Sequence, residues 1–382
     1  MSIDSPTNPP VLFSRPYLSA KELDNLSIVL HSGHAHGDGR FTASATEKLL
    51  SIIPSPAALL TSSGSHALEM ASLLLELGAG DEVILPSFTF SSAANAIALS
   101  GARIVFVDID PTTGNVDPEK VARHITPRTR AISVMHYGGV GVDLDSILSF
   151  GLPVIEDNAH GLGATYRGKE LGTFGALAIQ SFHDTKNIHS GEGGAILMND
   201  DSMVARAEMI REKGTDRSRF LRGQVDKYTW ADIGSSYLPS ELNAAVLDSQ
   251  LDEFASIQML RHRVWDAYAR ELPPWAEQNG VDLMSVPGDR AHPAHVFYML
   301  MHSHSEQSRV IAHLRSLGIV AVFHYVPLDS SPAGLRYGSA PEPCVVSADF
   351  SSRLVRLPLW AGMSDMDIER VIAGVQCYRA KL

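Results

Sequence analysis

Short apolar runs alternate with amphipathic segments of helical length from residue 57 onward, and this alternation limits the fold more than any other feature. After the first run, Ala67, Leu68, Ala71 and Leu74 fall on one face of a helix. Continuous apolar strands between amphipathic helices indicate a mainly parallel sheet that is covered on both faces. The predicted strands are residues 57–61, 81–85, 103–107, 131–135, 153–156 and 193–198, with a further apolar run at 176–179.

The 382 residues exceed what one ordinary core holds, so we expect two domains. We predict a large domain over residues 1–250 and a smaller α+β domain over residues 251–382. In the smaller domain the pattern predicts a strand at 295–301, a helix at 306–317, a strand at 319–323 and a final helix from Asp365.

Composition argues against several classes of partner. A net charge of −12 disfavours nucleic acid, which needs a basic face, although a few local cations suffice for a small anionic substrate. Cys344 and Cys377 are far apart and have no metal-ligand spacing, so we expect a reducing cytoplasm, no disulfides and no metal site. The first residues lack a basic region followed by an apolar core, and no apolar run reaches the ~20 residues of a membrane span. We therefore expect neither a signal peptide nor a membrane partner.

Lys186 follows an apolar run and precedes a glycine cluster. The stretch 181–187 reads SFHDTKN and leads into Gly191, Gly193 and Gly194. A lysine at the end of a buried strand, on a loop where backbone approaches a ligand closely, loses its proton readily and can form a Schiff base with an aldehyde cofactor. A lysine taken alone is usually a solvated surface residue, so the assignment depends on other segments.

Three other segments supply the remaining parts of a pyridoxal phosphate site. Asp157 ends an apolar run, where a carboxylate at the carboxyl edge of a parallel sheet would keep the ring nitrogen protonated. The turn 61–68 (TSSGSHAL) is rich in small hydroxyl residues and opens a helix, which favours a phosphate. Phe88 and Phe90 offer an aromatic face to a flat ring. A Rossmann dehydrogenase is the rival interpretation, but no strand is followed by a complete G-x-G-x-x-G fingerprint.

In this order, these segments resemble the fold-type I pyridoxal phosphate enzymes, and among them the DegT/DnrJ family of nucleotide-sugar aminotransferases. The resemblance covers nearly the whole chain. Within the family it is most similar to the dTDP-4-amino-4,6-dideoxygalactose transaminases, through the stretches 182–187 (FHDTKN), 232–242 (DIGSSYLPSEL) and 323–328 (FHYVPL). The resemblance implies an α/β fold with a mainly parallel seven-stranded sheet, a smaller C-terminal domain and a homodimer with composite active sites.

The resemblance also implies roles for individual residues around the cofactor. Lys186 is the catalytic Schiff-base lysine, Asp157 pairs with the ring nitrogen, and His160 lies near the ring hydroxyl. Phe90 stacks on the ring, with Phe88 as the alternative. The phosphate is held by three further residues, Gly64, Ser65 and Ser181.

Four more residues are carried over with weaker matches. Ser236 stands where many family members carry an asparagine that reaches the phosphate from the partner subunit, so its cofactor contact would cross a two-fold interface. Arg40, in the glycine-rich loop near the expected sugar-nucleotide entrance, and His324 and Tyr325 are expected to contact the substrate. For His324 and Tyr325, packing between the domains is the alternative.

The implied reaction is a ping-pong transamination. L-Glutamate gives its amine to pyridoxal phosphate, and the amine then passes to C4 of dTDP-4-keto-6-deoxyglucose. The alternatives are a 3-keto sugar aminotransferase, a dehydratase of the same fold in which a histidine replaces the lysine present here as Lys186, and a non-catalytic regulator. Asp329 stands where the dideoxygalactose branch has a histidine. It either faces away from the substrate diphosphate or marks a different sugar preference.

Overall fold

The computed structural model describes residues 9–380. Its strands are β1 (Ala57–Thr61), β2 (Glu82–Pro86), β3 (Arg103–Val107), β4 (Thr129–Met135), β5 (Val154–Asp157), β6 (Thr165–Tyr166), β7 (Lys169–Glu170), β8 (Leu177–Ser181), β9 (Gly194–Met198), β10 (Asp282–Leu283), β11 (Arg290–Ala291), β12 (Tyr298–Leu300), β13 (Gly338–Ser339) and β14 (Leu354–Arg356). Its α-helices are α1 (Glu22–Ser32), α2 (Arg40–Ile52), α3 (Gly64–Leu74), α4 (Ser91–Ser100), α5 (Pro118–His124), α6 (Leu144–Leu148), α7 (Val204–Arg211), α8 (Arg217–Leu221), α9 (Glu241–Asp252), α10 (Phe254–Glu271), α11 (Pro273–Asn279), α12 (His304–Ser316), α13 (Pro332–Tyr337), α14 (Val345–Arg353) and α15 (Asp365–Gln376).

The largest sheet has eight strands in the order β1-β9-β8-β5-β4-β2-β3-β13. Neighbouring strands are parallel except where β9 runs antiparallel to β1 and β8. All the other strands therefore point in one direction, and their carboxyl ends meet at the same side of the sheet. Ligands of open α/β sheets bind at this side.

The sequence pattern located most strands of this sheet closely, but the expected count of seven was wrong. Residues 57–61 and 103–107 match β1 and β3, and the other predicted strands differ by one or two residues at an end. The additional strand is β13, which adds only Gly338 and Ser339 beside β3. A Cβ atom on Gly338 would lie 2.5 Å from the Phe106 ring, so this pairing needs glycine. Two residues are too few to show a strand period.

Apolar side chains cover both faces of the large sheet. On one face, Leu68 of α3 and Ile97 of α4 pack against Val83 of β2. On the other face, Val121 of α5 packs against Ile132 of β4. This cover confirms the parallel α/β fold, and it leaves the strand ends as the place where polar side chains can gather.

A second core surrounds the small sheet β10-β12-β14. Val264 of α10, Val310 of α12 and Val371 of α15 pack around Met299 of β12. The predicted helix 306–317 corresponds to α12, the final helix begins at Asp365 as expected, and the predicted strand 295–301 is shortened to β12.

The segment 319–323 was expected to be a strand, and this prediction was wrong. Within the described chain it forms only isolated bridges, Ile319 with Val11 and Val322 with Arg356. Its apolar pattern arises because Ile319 and Ala321 are buried in the second core, and irregular backbone that packs into a core shows the same pattern as a strand. The bridge to Val11 joins the N-terminal segment to the C-terminal core.

We retain the division near residue 250 as a proposal. Helix α9 packs on α1 and α2 beside the large sheet, whereas α10 contributes to the second core. Two features cross this boundary, because Val11 lies in the second core and β13 lies in the large sheet.

The sequence led us to expect no membrane span, no metal site, no disulfide and no signal peptide. No helix within residues 9–380 is long and apolar enough to cross a membrane. The same part of the chain holds no cluster of three or more His, Cys, Asp or Glu side chains that could bind a metal ion. Cys344 is buried and Cys377 exposed, and both are free. The expectation about a signal peptide falls on the first residues, which lie outside the described chain.

Candidate active site

A cavity of about 430 Å³ opens at the carboxyl ends of β5 and β8. These strands are neighbours, with Asp157 of β5 opposite Ile179 of β8, and Lys186 lies on the loop after β8. The C-terminal core forms another wall of the same cavity through His324, Tyr325 and Arg356. Its volume is in the range that accommodates a cofactor or small substrate.

Lys186 projects into this cavity from a loop that the backbone closes. Its amide donates to the His183 carbonyl at 2.9 Å, and the Asp184 amide donates to the Gly191 carbonyl at 3.0 Å. Burial lowers the pKa of the Lys186 amine to about 8, although the nearby Asp157 carboxylate acts in the opposite direction. A sizeable fraction of the amine is therefore neutral near this pH, and the neutral amine is the nucleophilic form.

Asp157 faces the cavity, while its neighbour Glu156 faces the other side of the sheet, because successive strand residues point to opposite faces. The Ala159 amide donates to Asp157 Oδ1 at 3.1 Å. Burial raises the pKa of Asp157, whereas the Ala159 amide and the positive charge of Lys186 lower it. The carboxylate is thus a buried acceptor with only one donor among the described residues.

Glu156 anchors the end of β5 from behind the site. The His136 ring donates to its carboxylate from Nε2 at 3.0 Å, and the Val142 amide donates to His136 Nδ1 at 3.2 Å, which fixes the tautomer. Three further donors to Glu156 are the amides of Gly172 (2.9 Å), Phe174 (2.8 Å) and Gly175 (2.6 Å). This network holds the strand end rigidly and leaves Asp157 free for a ligand.

The turn before α3 forms an anion site on the cavity wall. Ser63 caps the helix by accepting from the His66 amide at 3.1 Å. The amides of Gly64 and Ser65 begin the helix and have no intrahelical acceptor. A Cβ atom on Gly64 would lie 2.9 Å from Cβ of Ser181, so glycine lets the helix start close against β8. Free amides beside the Ser181 hydroxyl favour a phosphate here.

His160 is buried at the edge of the cavity and is held neutral. The Gly138 amide donates to Nδ1 at 3.3 Å, so the proton lies on Nε2, which is 3.4 Å from the Tyr325 hydroxyl. Burial, together with the positive charges around Lys186, keeps the pKa of His160 well below its usual range. His160 can therefore donate one hydrogen bond and carries no charge of its own.

His295 lies beside His160 and was not predicted. The two ring centroids are 4.1 Å apart. Asn187 Oδ1 accepts from His295 Nδ1 at 2.8 Å, and the Asn187 amide group donates to the Pro293 carbonyl at 2.7 Å. Asn187, the residue after Lys186, therefore ties the lysine loop to residues 293–295.

The aromatic residue at the cavity is Phe90, since Phe88 is buried in the core against Tyr137 with ring centroids 5.0 Å apart. The Phe90 ring is half exposed, and its centroid lies 6.0 Å from that of Tyr325. His324 Nδ1 is 3.2 Å from the Tyr137 hydroxyl. The structure thus brings Phe90, His324 and Tyr325 to one wall.

Two predicted site residues do not line this cavity. Ser236 is exposed, its backbone bridges to Glu212, and it does not line the cavity of its own chain. Arg40 is exposed at the start of α2, where its guanidinium lies over the Phe41 ring. Their predicted contacts with cofactor and substrate stay predictions.

Backbone amides at the start of α2 are already occupied. The Glu241 carboxylate accepts from the amides of Gly39 (3.0 Å), Phe41 (2.9 Å) and Thr42 (3.0 Å). An internal carboxylate therefore fills the anion site of this helix. These amides are therefore not available to bind a substrate diphosphate.

The structure adds Phe13 and Arg356 to the site, both missed from the sequence. Arg356 carries the only charge in the run 354–359 (LVRLPL), and a charged residue inside an apolar run is a usable signal of burial beside a ligand. Phe13 gave no such signal, because its place depends on the N-terminal segment crossing to the C-terminal core, where Leu359 donates its amide to the Phe13 carbonyl.

Comparison with known proteins identifies a consistent set of relatives. The model of the DegT/DnrJ/EryC1/StrS aminotransferase family matches residues 16–376. The chain is 32% identical over 380 residues to the GDP-perosamine synthase of Caulobacter vibrioides, covering 96% of this chain and 98% of that protein. The aminotransferase TlmJ from Streptoalloteichus hindustanus superposes with a TM-score of 0.88 at 28% identity, covering 96% and 98% of the two chains. Spr1654 from Streptococcus pneumoniae in its PLP form superposes with a TM-score of 0.87 at 22% identity, covering 96% and 98%, which shows the fold alone.

The residues around the cavity fit pyridoxal phosphate. Asp157 offers a buried carboxylate for a protonated ring nitrogen, and Lys186 offers an amine for an aldehyde carbon. At the other end of the cavity, the free amides of Gly64 and Ser65 and the Ser181 hydroxyl suit a phosphate. These three parts line one cavity, as the cofactor requires.

The buried amine predicts a pH-dependent cost to stability in the cofactor-free protein. The pKa of Lys186 falls from 10.5 to about 8 on folding, so the unfolded chain binds more protons between these values. The cost is complete below pH 8 and disappears as pH rises towards 10.5. We expect cofactor-free Lys186→Met to exceed the wild type by about 3 kcal/mol in free energy of unfolding at pH 7.

Urea unfolding at several pH values measures this difference. It should shrink as pH rises above 8, whereas a Lys227→Met control, at an exposed lysine, should show no such trend. A difference that is absent at pH 7, or that grows with pH, would contradict the assignment of a lowered pKa to Lys186.

Proposed function

This chain belongs to the DegT/DnrJ/EryC1/StrS aminotransferase family, and from that membership we propose that it moves an amino group from L-glutamate to a nucleotide-linked keto-6-deoxy sugar. It is a pyridoxal phosphate-dependent sugar aminotransferase. The observation that carries the proposal is the meeting of Lys186, Asp157 and the turn before α3 in one cavity. The free cysteines support a cytoplasmic location.

The residues of this chain have distinct tasks in the reaction. When bound, pyridoxal phosphate supplies an electron sink that stabilises negative charge on the substrate carbon. Asp157 would keep the ring nitrogen charged, and Gly64, Ser65 and Ser181 would hold the phosphate. Phe90 would cover one face of the ring and His160 would donate to its hydroxyl.

Lys186 is suited to carry a proton as well as to hold the cofactor. A general acid or base works best when its pKa lies near the working pH, and the Lys186 amine has a pKa of about 8. The Asp157 carboxylate keeps the pKa of Lys186 from falling further. The same carboxylate would therefore stabilise the charge on the ring nitrogen and set the pKa of the amine.

We assign the acceptor as a 4-keto-6-deoxy sugar on dTDP, with the C3 ketone as the alternative. The stretches 232–242 and 323–328 support this choice, since they resemble the dideoxygalactose-forming branch. The relative from Caulobacter vibrioides is named for a GDP sugar, so GDP is the alternative nucleotide. Asp329 accepts from the Ser87 hydroxyl at 2.5 Å at the end of β2 and does not line the cavity. Its charge therefore faces away from the site, so Asp329 would not repel a substrate diphosphate bound there.

A direct assay distinguishes these substrates. The holoenzyme is incubated with L-glutamate and, separately, with dTDP-4-keto-6-deoxyglucose, its 3-keto isomer and a GDP-linked 4-keto-6-deoxy sugar. We expect amination of the dTDP sugar at C4, identified by mass and by NMR coupling at the aminated carbon. Lys186→Ala should reduce turnover by about 100-fold or more.

Each of the other outcomes would overturn a different part of the substrate assignment. Preference for the 3-keto sugar would overturn the regiochemistry, and preference for the GDP sugar would overturn the nucleotide. No amination of any of the three would overturn the substrate class.

We further propose a homodimer with composite active sites. Ser236 is exposed and lies in a segment that also exposes large apolar side chains, with Trp230 79% and Leu221 66% exposed. Exposed apolar surface of this kind usually marks an interface. A two-fold axis that runs between this segment and the cavity would bring Ser236 of each chain towards the cavity of the other.

Complementation between two inactive variants tests this assembly. One chain carries Lys186→Ala, and the other carries Ser236→Asp, whose charge would repel the cofactor phosphate. Coexpressed chains with different tags should form hybrid dimers, and the purified hybrids should recover about half of wild-type activity, because one of the two sites in each hybrid keeps both residues. Purified hybrids that remain inactive, or a fully active monomer, would contradict the composite site.

A further inference from the structure

Arg356 is the one residue that brings a guanidinium into the cavity from a strand of the C-terminal core. It ends β14, pairs with Tyr298 of β12 and exchanges backbone hydrogen bonds with Val322 at 2.7 and 3.2 Å. Its side chain lines the same cavity as Lys186 and Asp157. A side chain on a paired strand is positioned more rigidly than one on a loop.

The charge of Arg356 has no counterion within residues 9–380. Its Nε atom is buried and finds no acceptor there, and no carboxylate lies within ion-pair distance of its guanidinium. The ring of Phe13 covers one face, with Cζ of Arg356 4.5 Å from the ring centroid. A buried guanidinium with free donors is costly unless an anion pairs with it, so the site is incomplete without a ligand.

Arg261 also lies on the cavity wall, but its guanidinium has hydrogen-bond acceptors within the chain. Its Nε and Nη atoms donate to the carbonyls of Ala294 (3.1 Å), His295 (2.9 Å) and Leu359 (3.4 Å). Arg261 therefore ties α10 to two segments of backbone, residues 294–295 and Leu359. The Arg356 guanidinium donates to no carbonyl of the described residues, so its donors are available to a ligand.

The expected ligand is a planar oxyanion, because the guanidinium fork matches a carboxylate or a phosphate. Two sources exist in the proposed reaction, namely the carboxylates of the amino donor and the diphosphate of the sugar nucleotide. The charge of Arg356 is close enough to Lys186 to contribute to the lowered pKa of its amine. The α-carboxylate is bonded to the donor carbon that reacts beside Lys186, whereas the diphosphate is separated from the reacting ketone by the sugar ring.

We propose that Arg356 binds the α-carboxylate of the amino donor, with the Phe13 ring holding its guanidinium in place. This inference rests on the proposed function, since it assumes an amino acid donor. The keto sugar has no carboxylate on its reacting carbon. Arg356 therefore acts in the half-reaction with the donor and contributes little to the half-reaction with the sugar.

Binding to the holoenzyme tests the assignment without requiring turnover. The probes are 2-oxoglutarate, which keeps the carboxylate next to the reacting carbon, and dTDP or GDP, which carry the diphosphate alone. In Arg356→Gln the dissociation constant for 2-oxoglutarate should rise at least about 30-fold, while those for the nucleotides change less than about 3-fold. Arg356→Lys keeps the charge without the fork and should fall between the wild type and Arg356→Gln.

Single-turnover spectra then locate the contact on the donor. The wild type should react much faster with L-glutamate than with its α-carboxamide, and Arg356→Gln should lose most of this preference by slowing the reaction with L-glutamate alone. Arg336→Gln is the matched control, because its guanidinium also stacks on an aromatic ring, Tyr337 at 4.9 Å, but is exposed away from the cavity. It should behave as the wild type.

The outcomes separate this inference from the proposed function. Unchanged 2-oxoglutarate binding in Arg356→Gln, or a larger loss for dTDP or GDP, would overturn the assignment. A retained preference for L-glutamate over its α-carboxamide would do the same. Binding that depends on Arg356 in an enzyme that aminates no nucleotide sugar would support the carboxylate site and overturn the sugar.

Discussion

The parallel pairing of β5 with β8 is the constraint on which the site depends. It places the end of β5, with Asp157, beside the loop after β8, with Lys186, where two opposite charges line one cavity. Burial pushes the pKa of the acid up and that of the amine down, and each partner limits the shift of the other. Glu156 and its amide donors fix the end of β5 and therefore the position of Asp157.

The cavity is completed by residues that lie far apart in the chain. The C-terminal core supplies Arg356 and Tyr325, and the N-terminal segment supplies Phe13, which reaches the cavity because Val11 bridges to Ile319 in that core. Three cations (Lys186, Arg261 and Arg356) and two carboxylates (Asp157 and Glu192) therefore line a common space in a chain whose net charge is −12. Such a local excess of positive charge suits a phosphorylated cofactor and an acidic donor, whatever the overall charge of the surface.

The sequence predicted those parts of the site that depend on local pattern. Lys186, Asp157 and the turn with Gly64 and Ser65 each follow or precede an apolar strand, and the structure brings them together. Phe13 was missed because its place depends on packing between segments hundreds of residues apart, whereas Arg356 was missed although its lone charge in the run 354–359 was a usable signal. The eighth strand was missed because two residues carry no period, and 319–323 was mistaken for a strand because burial in a core produces the same apolar pattern as a ladder. Ser236 and Arg40 depend on a partner chain or a ligand, and a single chain leaves them as predictions.

Borohydride reduction of the purified holoenzyme, followed by peptide mass spectrometry, tests whether Lys186 is the residue that binds the cofactor covalently. We expect an absorbing, cofactor-bound protein whose spectrum changes when L-glutamate is added, and a reduced cofactor fixed to the peptide that contains Lys186. Lys186→Ala should show no fixed cofactor, while Lys227→Ala should match the wild type. Fixation at another lysine, or a Lys186→Ala protein that still fixes the cofactor fully and turns over, would contradict the account.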